Sequence, residues 1–521
     1  VTESLERALH EPETRVVVVG GGVAGLVVAR DSARPGFTVT VVEASGSIGG
    51  SVARTEIAGI PVDVGAESFA TRGGHVAELI RELGLDEHVV SPNPAGAWLQ
   101  LKDKAVPIPA GGLLGIPGSP LAQDVIAAIG WRGALRAYLD RLAPVLKIGH
   151  ERNLGTLVRR RMGRAVLDQL VTPVTSGVYS ADPDDLDVAV AAPGLNRSLT
   201  ALGSLSGAVS DLRSASKPGS AVGGLSGGMR VIVDVLAADL GRLGAEIVTG
   251  RAVVALEAVA EGAALETADE KAAVEAVAEE AVLGAPASDG SGEDEDRPAA
   301  WRVVLDDGTA LAADVVVIAT PAAHALALLA TASEETRALA DLEWPTGTDV
   351  ELATLVLDAP ELDVAPRGTG MLVAEGAPLL AKAMTHATAK WRWLQEAAGP
   401  GRHVVRVSYG RPGGTNPAEG LTDDDLLHQA VRDAATMFDM PLAASQVVAY
   451  ARTRWINAVP HALRGQKERL EVVEECVSRV PGLEVTGSWI AGTGLASVIP
   501  NAKEAASRVR GLRWRLLTEK D

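Results

Sequence analysis

The sequence predicts an α/β fold that opens on a strand–helix–strand unit and continues into mixed strands and helices. Three observations carry this. Four valines, Val16 to Val19, run directly into Gly20, Gly21 and Gly22. A continuous apolar run ending in glycines marks a strand buried on both faces of a parallel sheet. Residues 24–34 read as a helix stopped by Pro35-Gly36, and residues 37–42 as a second strand. The C-terminal stretch LEVTGSWIAGTGLASVIPNAKEAASRVRGL repeats the order strand, glycine loop, helix.

The bulk numbers set the frame. A chain of 521 residues is too long for one ordinary core and implies two or three domains. Hydrophobic residues make up 47% and charged residues 22%, as in soluble globular proteins, while only 3% are aromatic, so alanine and valine must build the core. A formal charge of −19 argues against nucleic acid as a partner. A single cysteine, Cys476, excludes an internal disulfide and a cysteine metal cluster, and a reducing, cytoplasmic setting is expected. No apolar run reaches 18 residues, and the polar first 15 residues lack the apolar core of a signal peptide.

Charge is unevenly spread. Residues 257–296 hold 13 acids and one lysine. This low-complexity tract, ending in Gly, Ser and Asp, reads as an exposed insertion. Residues 131–164 hold nine Lys and Arg against two acids. Leu135, Leu139, Leu142 and Leu146 recur there at helical spacing with arginines between them. That stretch reads either as a solvated basic face or as a contact with an anionic membrane surface. Residues 229–243 form an amphipathic helix by pattern and 246–248 a short strand; a hairpin follows the insertion, turning at Asp307-Gly308.

The glycine loop is the first chemical signal. Gly20-x-Gly22-x-x-Gly25 sits between a strand and a helix. Glycine lets the backbone turn tightly and approach a pyrophosphate, which then faces the helix N-terminus. Glu43 closes the second strand, where a carboxylate accepts both hydroxyls of an adenosine ribose and repels a 2′-phosphate, so NADP is not expected. Gly49-Gly50 can approach the same pyrophosphate. No second unit of this kind occurs, so one dinucleotide is expected, with no motif supplying the acid or base of a dehydrogenase.

VVVVGGGVAGL…VVEASGSIGG, VDVGAES, VVVIATP and GSWIAGTGLASVI together resemble the FAD-dependent amine-oxidase-like superfamily. Within it, RRRMGRAVLDQLVTPVTSGVYSADPDDL resembles the porphyrinogen oxidases, with GVY-x-x-DP-x-x-L the most diagnostic element. GLSGGMRVIVDVL, KAMTHATAKW, VSYGRPGG and RWINAVPHALRGQKERL fit the same family in order. The resemblance covers nearly the whole chain apart from the first residues and the acidic insertion.

The resemblance implies a discontinuous Rossmann-like FAD-binding domain (15–95, 220–345 and 455–513), a helical, membrane-facing domain (115–215), a mixed-sheet substrate-binding domain (96–114 and 346–454) and the insertion at 258–299. It implies non-covalent FAD held by Gly20, Gly22, Gly25, Glu43, Ala44, Gly49, Gly50, Ser51, Gly65, Ala66, Glu67 and Ser68. Val253 would hold adenine through its backbone, and Ala319 and Thr320 would close over that half. Trp455, Gly492, Thr493, Gly494, Leu495, Ala496 and Val498 would stand on the flavin side, the last loop leading into a helix near Pro500. Gly177 and Tyr179 would line the porphyrinogen pocket, a glycine there allowing close approach of a flat macrocycle. Arg72, with Arg411 and Lys390 as further candidates, would meet propionates. The flavin does the chemistry, so no side-chain catalyst and no metal are expected. The implied reaction is oxidation of coproporphyrinogen III to coproporphyrin III by O₂ in haem biosynthesis, in three cycles releasing H₂O₂. Protoporphyrinogen IX, or the substrate of another flavin amine oxidase, is the alternative. Peripheral attachment at the inner membrane face and hand-over to a downstream haem-pathway enzyme belong to the same expectation.

Two departures lean the reading towards coproporphyrinogen or leave it open. Gln466 stands where the family commonly has histidine, and the arginine that plant protoporphyrinogen oxidases place before their LP segment is absent from GAWLQLKDKAVPIP. GLSGG formally matches a nucleophile elbow, but SKPGSAV before it reads as a loop, whereas an elbow needs a strand. The nine histidines lack metal-binding spacing.

Overall fold

The computed structural model describes residues 13–143, 151–178, 180–214, 222–259, 299–458 and 462–518. Its first layer is a five-stranded parallel sheet in the order Glu246–Thr249, Phe37–Glu43, Thr14–Val19, Val315–Ile318, Leu483–Val485. Val16 pairs with Val39 on one side and Val315 on the other. The valine run makes this possible, because alternate residues of a strand face opposite sides of the sheet. Val16 and Val18 pack under the helices Val23–Ser32, Arg230–Arg242 and Leu495–Thr518. Val17 and Val19 pack on the other side with Trp301 and the helix Ala322–Ala332.

The hairpin signal at Asp307-Gly308 belongs to a three-stranded antiparallel sheet, Val253–Ala258, Trp301–Leu305 and Ala310–Ala313. Most of the acidic insertion lies between its first two strands and outside the described residues. A seven-stranded mixed sheet forms the second layer, in the order Val447–Ala458, Thr348–Asp358, Arg402–Tyr409, Ala383–His386, Gly370–Val373, Trp98–Gln100, Ala105–Pro107. The helix Asp423–Phe438 seals one of its faces. The described residues between Gln123 and Ser214 are largely helical and have their own core, built on Leu154, Val158, Leu167, Leu170 and Val209. No helix among the described residues is long and apolar enough to cross a membrane.

Three local expectations change. The basic stretch is not one helix: Gln123–Tyr138, itself kinked just ahead of that stretch at Gly130 (φ 72°), passes into a 3-10 turn at Leu139–Leu142, a new helix begins at Leu154, and Trp131, Leu135, Leu139 and Leu142 are exposed. Leu146 lies outside the described residues. The C-terminal helix starts at Leu495, five residues before Pro500, which it carries inside. A strand, Val222–Leu225, does precede Ser226, because Gly223 and Gly224 leave room for Phe69 and Trp391 to lie against the backbone. The ground for rejecting an elbow therefore changes: among the described residues the Ser226 hydroxyl has no histidine partner, and its N–H donates to His88 O.

One buried ion pair organises the helical segment. Asp140, fully buried, accepts from Arg161 Nε at 2.5 Å and from Ser206 N–H at 3.1 Å. Arg161 also donates to the carbonyls of Ala143 and Gly203. Asp140→Ala leaves a buried guanidinium without its counter-charge and is expected to cost about 3–5 kcal/mol. Asp140→Leu combined with Arg161→Met is expected to recover most of that loss in thermal unfolding followed by circular dichroism.

Candidate functional site

The glycine loop is shaped by contacts that only glycine permits. A Cβ on Gly25 would stand 2.0 Å from Gly20 O, and one on Gly20, at φ 110°, 2.9 Å from Ala319 O. The helix Val23–Ser32 begins at Gly22 with no side-chain cap, so its first N–H groups point outward without a side-chain acceptor. The second glycine pair folds onto the first. Gly49 N–H donates to Gly21 O at 2.7 Å, Gly22 and Gly49 form a parallel bridge, and a Cβ on Gly50 would meet Gly22 Cα at 3.3 Å.

Glu43 faces this loop. Its Oε2 accepts from Gly21 N–H at 2.7 Å, and its Oε1 accepts from Ser45 N–H at 2.9 Å and Ser45 Oγ at 2.7 Å. Ala44 lies exposed beside it. Gly250 and Arg251 N–H groups donate to Ser45 O and Glu43 O, bringing Val253 to the same side. The Val253 carbonyl is 2.8 Å from His324 Nε2. Ala319 N–H donates to Val19 O, and Thr320 Oγ1 is buried with no partner among the described residues. An uncapped helix start, a cradle closed to any Cβ and an orphaned hydroxyl fit the pyrophosphate half of a dinucleotide.

The second half of the site gathers around VDVGAES. A Cβ on Gly65 would fall 1.9 Å from Ser51 O and 3.1 Å from Trp455 Cζ2. Ala66 N–H donates to Ser51 O, and Trp455 Nε1 donates to Val64 O at 3.0 Å. Glu67 accepts from Lys390 Nζ at 2.5 Å and from Arg406 Nη1 at 2.8 Å, while Arg406 Nη2 donates to Gly65 O at 3.0 Å. Burial pushes the Glu67 carboxyl up, but the two cations outweigh it and hold it at about 2. Ser68 follows, half-buried. Gly492 and Gly494, at φ 101° and 99°, deliver the chain through exposed Thr493 to the start of Leu495–Thr518. That helix packs Leu495 and Val498 into the parallel-sheet core, with Ala496 against it.

The substrate-side expectations fare unevenly. Lys390 is neither a solvated charge nor a free cation, because it is paired to Glu67. Arg411 is half-buried and donates to the carbonyls of Val373 and Ala381. Gly177 lies in the helix Thr172–Val178, and the space a Cβ would need is taken by Leu372 Cδ2 at 2.7 Å, so the close approach there is helix to sheet. Tyr179 lies outside the described residues. Arg72 is exposed, on the turn after the strand Phe69–Ala70. Gln466 is buried at the start of Gln466–Ser478, its Oε1 without a described partner. Leu186 bridges Leu463 and Arg464 N–H donates to Asp185 O, so PHALRGQ backs directly onto the DPDDL element.

Sequence reasoning missed three groups. Arg230 donates to Ile48 O at 2.6 Å, placing a guanidinium against Gly49. Arg406 completes the Glu67 cluster. Asp63 accepts from Met229 N–H at 2.9 Å, with its Oδ1 buried and unpartnered. Each meets residues far away in the chain; Asp63, inside VDVGAES, and Arg230, inside GLSGGMRVIVDVL, stood within quoted stretches, while Arg406 lay just before VSYGRPGG. No cluster of metal-ligand type occurs among the described residues.

Fold and site define a protein whose glycine loops, at the ends of a parallel sheet, are shaped to receive a nucleotide cofactor. Residues 23–300 and 294–510 match the profile of the flavin containing amine oxidoreductase family, and the chain belongs to that family; its cofactor is a flavin. The chain is 24% identical over 516 residues to the coproporphyrinogen III oxidase of Bacillus subtilis (strain 168), covering 96% of this chain and 98% of that protein. It is 28% identical over 494 residues to the coproporphyrinogen III oxidase of Mycobacterium leprae (strain TN), covering 94% and 96%. A crystal structure from Exiguobacterium sp. 255-15, provisionally named a protoporphyrinogen oxidase, superposes with a TM-score of 0.76 at 24% identity, over 95% and 98% of the chains, and shows the shared fold.

Asp63 gives this site a pH signature. Burial raises its carboxyl to about 6, against the Met229 N–H bond and the nearby Arg406 charge, which lower it. A carboxyl raised in the folded state favours folding below its unfolded value, 3.8, and that advantage is lost as pH rises through about 6. Asp63→Asn is therefore expected to stabilise the protein by on the order of 2–3 kcal/mol at pH 7.5 and by little at pH 3.5. Thermal unfolding of both proteins across that range checks it.

Proposed function

We propose that this protein oxidises coproporphyrinogen III to coproporphyrin III, using non-covalently bound FAD and O₂. The observation that supports this best is the match, along nearly the whole chain, to relatives bearing that name in several bacteria. Bound FAD would supply a two-electron acceptor that returns its electrons to O₂. Six hydrogens leave each porphyrinogen, so three O₂ become three H₂O₂.

The chain's own residues hold and orient. Gly20, Gly22, Gly25, Gly49 and Gly50 would receive the pyrophosphate, with Arg230 adding positive charge beside it. Glu43 would meet the ribose. Gly65, Trp455 and the 492–498 loop would bound the flavin end. The start of Leu495–Thr518, which follows Gly494, would favour negative charge there. Glu67, fixed by two cations, is unsuited to act as a base at neutral pH, in keeping with a reaction that needs no side-chain proton acceptor.

Protoporphyrinogen IX is the second reading. A match to the protoporphyrinogen oxidase 2, chloroplastic/mitochondrial, of Arabidopsis thaliana covers 35% of this chain. Coproporphyrinogen III and protoporphyrinogen IX, supplied separately under air, distinguish the two through porphyrin fluorescence. Coproporphyrinogen III is expected to be oxidised faster, with three H₂O₂ per porphyrin, and acid precipitation should release free FAD. Rates no higher than the air blank for both would remove the reading.

Attachment to an anionic membrane surface is part of the proposal. Trp131 and Leu142 are 69% and 76% exposed, beside Leu135, Leu139 and Arg132 in the basic stretch. An apolar edge flanked by cations suits a lipid interface. Flotation with vesicles rich in phosphatidylglycerol is expected to carry the protein upward. Trp131→Ser with Leu142→Ser should abolish this and leave Tm unchanged.

A further inference from the structure

Lys382 is a buried ammonium whose described hydrogen-bond partner is a single hydroxyl. It lies between the strands Gly370–Val373 and Ala383–His386 of the mixed sheet. Its backbone is fixed on both sides: its N–H donates to Ser408 O at 2.8 Å, and its carbonyl accepts from Val373 N–H at 3.0 Å. The side chain is 2% exposed and donates to Ser180 Oγ at 3.1 Å. An ammonium has three N–H donors. Among the described residues the other two have no acceptor, and no carboxylate pairs with it.

The charge nearest to it in effect is a second cation. Arg411 donates to the carbonyls of Val373 at 3.0 Å and Ala381 at 3.2 Å, the residues that flank and pair with Lys382. Glu375 acts on Arg411 without a direct hydrogen bond among the described residues. Two positive charges therefore share one end of the sheet, held only by carbonyls and a hydroxyl. Burial, then Arg411, lowers the Lys382 ammonium to about 8. It is still charged at neutral pH, at a cost the surrounding protein does not offset.

The position of this pair is informative. The same end of the sheet meets the GVY element: Leu372 fills the space beside Gly177, and Ser180, at φ 50°, follows three residues later. By contrast, Lys390 and Arg406 already have Glu67. We propose that Lys382, with Arg411 behind it, is the binding point for a substrate carboxylate. Under the porphyrinogen reading, on which this rests, that group is a propionate. The carboxylate takes the two ammonium donors that the protein leaves open, and its charge relieves the repulsion between the two cations. A buried cation kept without a counter-ion at such a place marks a site shaped for a ligand at the expense of stability.

The test uses the flavin-loaded enzyme and its Lys382→Met variant, with flavin content checked by absorbance. Binding of coproporphyrin III, which carries four carboxylates, and of its uncharged tetramethyl ester is followed by fluorescence, and unfolding of both unliganded proteins is measured. The variant is expected to bind the free acid at least about tenfold more weakly, to bind the ester unchanged, and to show a higher Tm. Equal loss for acid and ester would mean a shape effect and overturn the proposal. So would undiminished binding of the acid, or a lowered Tm, which would mark a purely structural cation. If the wild-type enzyme neither binds coproporphyrin III nor oxidises coproporphyrinogen III, the functional reading itself falls, and this assignment with it.

Discussion

Glu67 ties the molecule together. It follows the strand Ile60–Asp63, and it is held by Lys390, on the short helix Ala387–Lys390, and by Arg406, on the mixed sheet, 323 and 339 residues further along. Arg406 also donates to Gly65 O, so one guanidinium fixes both the carboxylate and the backbone of the loop it stands on. Gly65 can lie against Ser51 O only because it has no Cβ. Trp455, from the last strand of the mixed sheet, closes the same loop through Val64 O. This buried charge cluster, with Trp455, ties the Val64–Glu67 loop to the mixed sheet and to the short helix that carries Lys390. A buried pair is a poor source of net stability but a strong specifier of geometry when every partner is in place.

The parallel unit was legible in the sequence for a physical reason. Its strands are buried on both faces, so they appear as unbroken valine runs, and its turns demand glycine wherever backbone meets backbone. The structure keeps these segments nearly residue for residue. The exposure of Leu135, Leu139 and Leu142 was less legible, because leucines at helical spacing look the same whether they face a core or solvent. The strand at Val222–Leu225 was hidden because its glycines suit a loop equally well. They are there to admit Phe69 and Trp391, neighbours that no local pattern announces.

The site divides along the same line. Residues that act through backbone shape, such as Gly20, Gly25 and Gly49, could be named from sequence because a single residue type satisfies each requirement, while Gly65 was implied by the resemblance. Residues that act through charge could not. Lys390 reads as a free cation until Glu67 is found beside it, and Arg230 has no meaning until Ile48 and Gly49 are seen against it. Charge is a pairwise property, and here the partners are hundreds of residues apart.

That distinction separates the cations of the mixed sheet into two kinds. Lys390 and Arg406 are compensated inside the protein, so a further carboxylate would have to compete with Glu67, whose proton affinity the two cations have already depressed to about 2. Lys382 and Arg411 have only neutral oxygens as direct described partners, and burial lowers the proton affinity of both, with Arg411 lowering that of Lys382 further. The first pair can set the position of a loop beside the cofactor but adds little attraction for an anion. The second pair does the reverse, because no carboxylate bonds either cation directly among the described residues, so added negative charge improves its electrostatic energy. Under the proposed function the first pair steadies the loop beside the flavin, while the second gains binding energy from an acidic substrate.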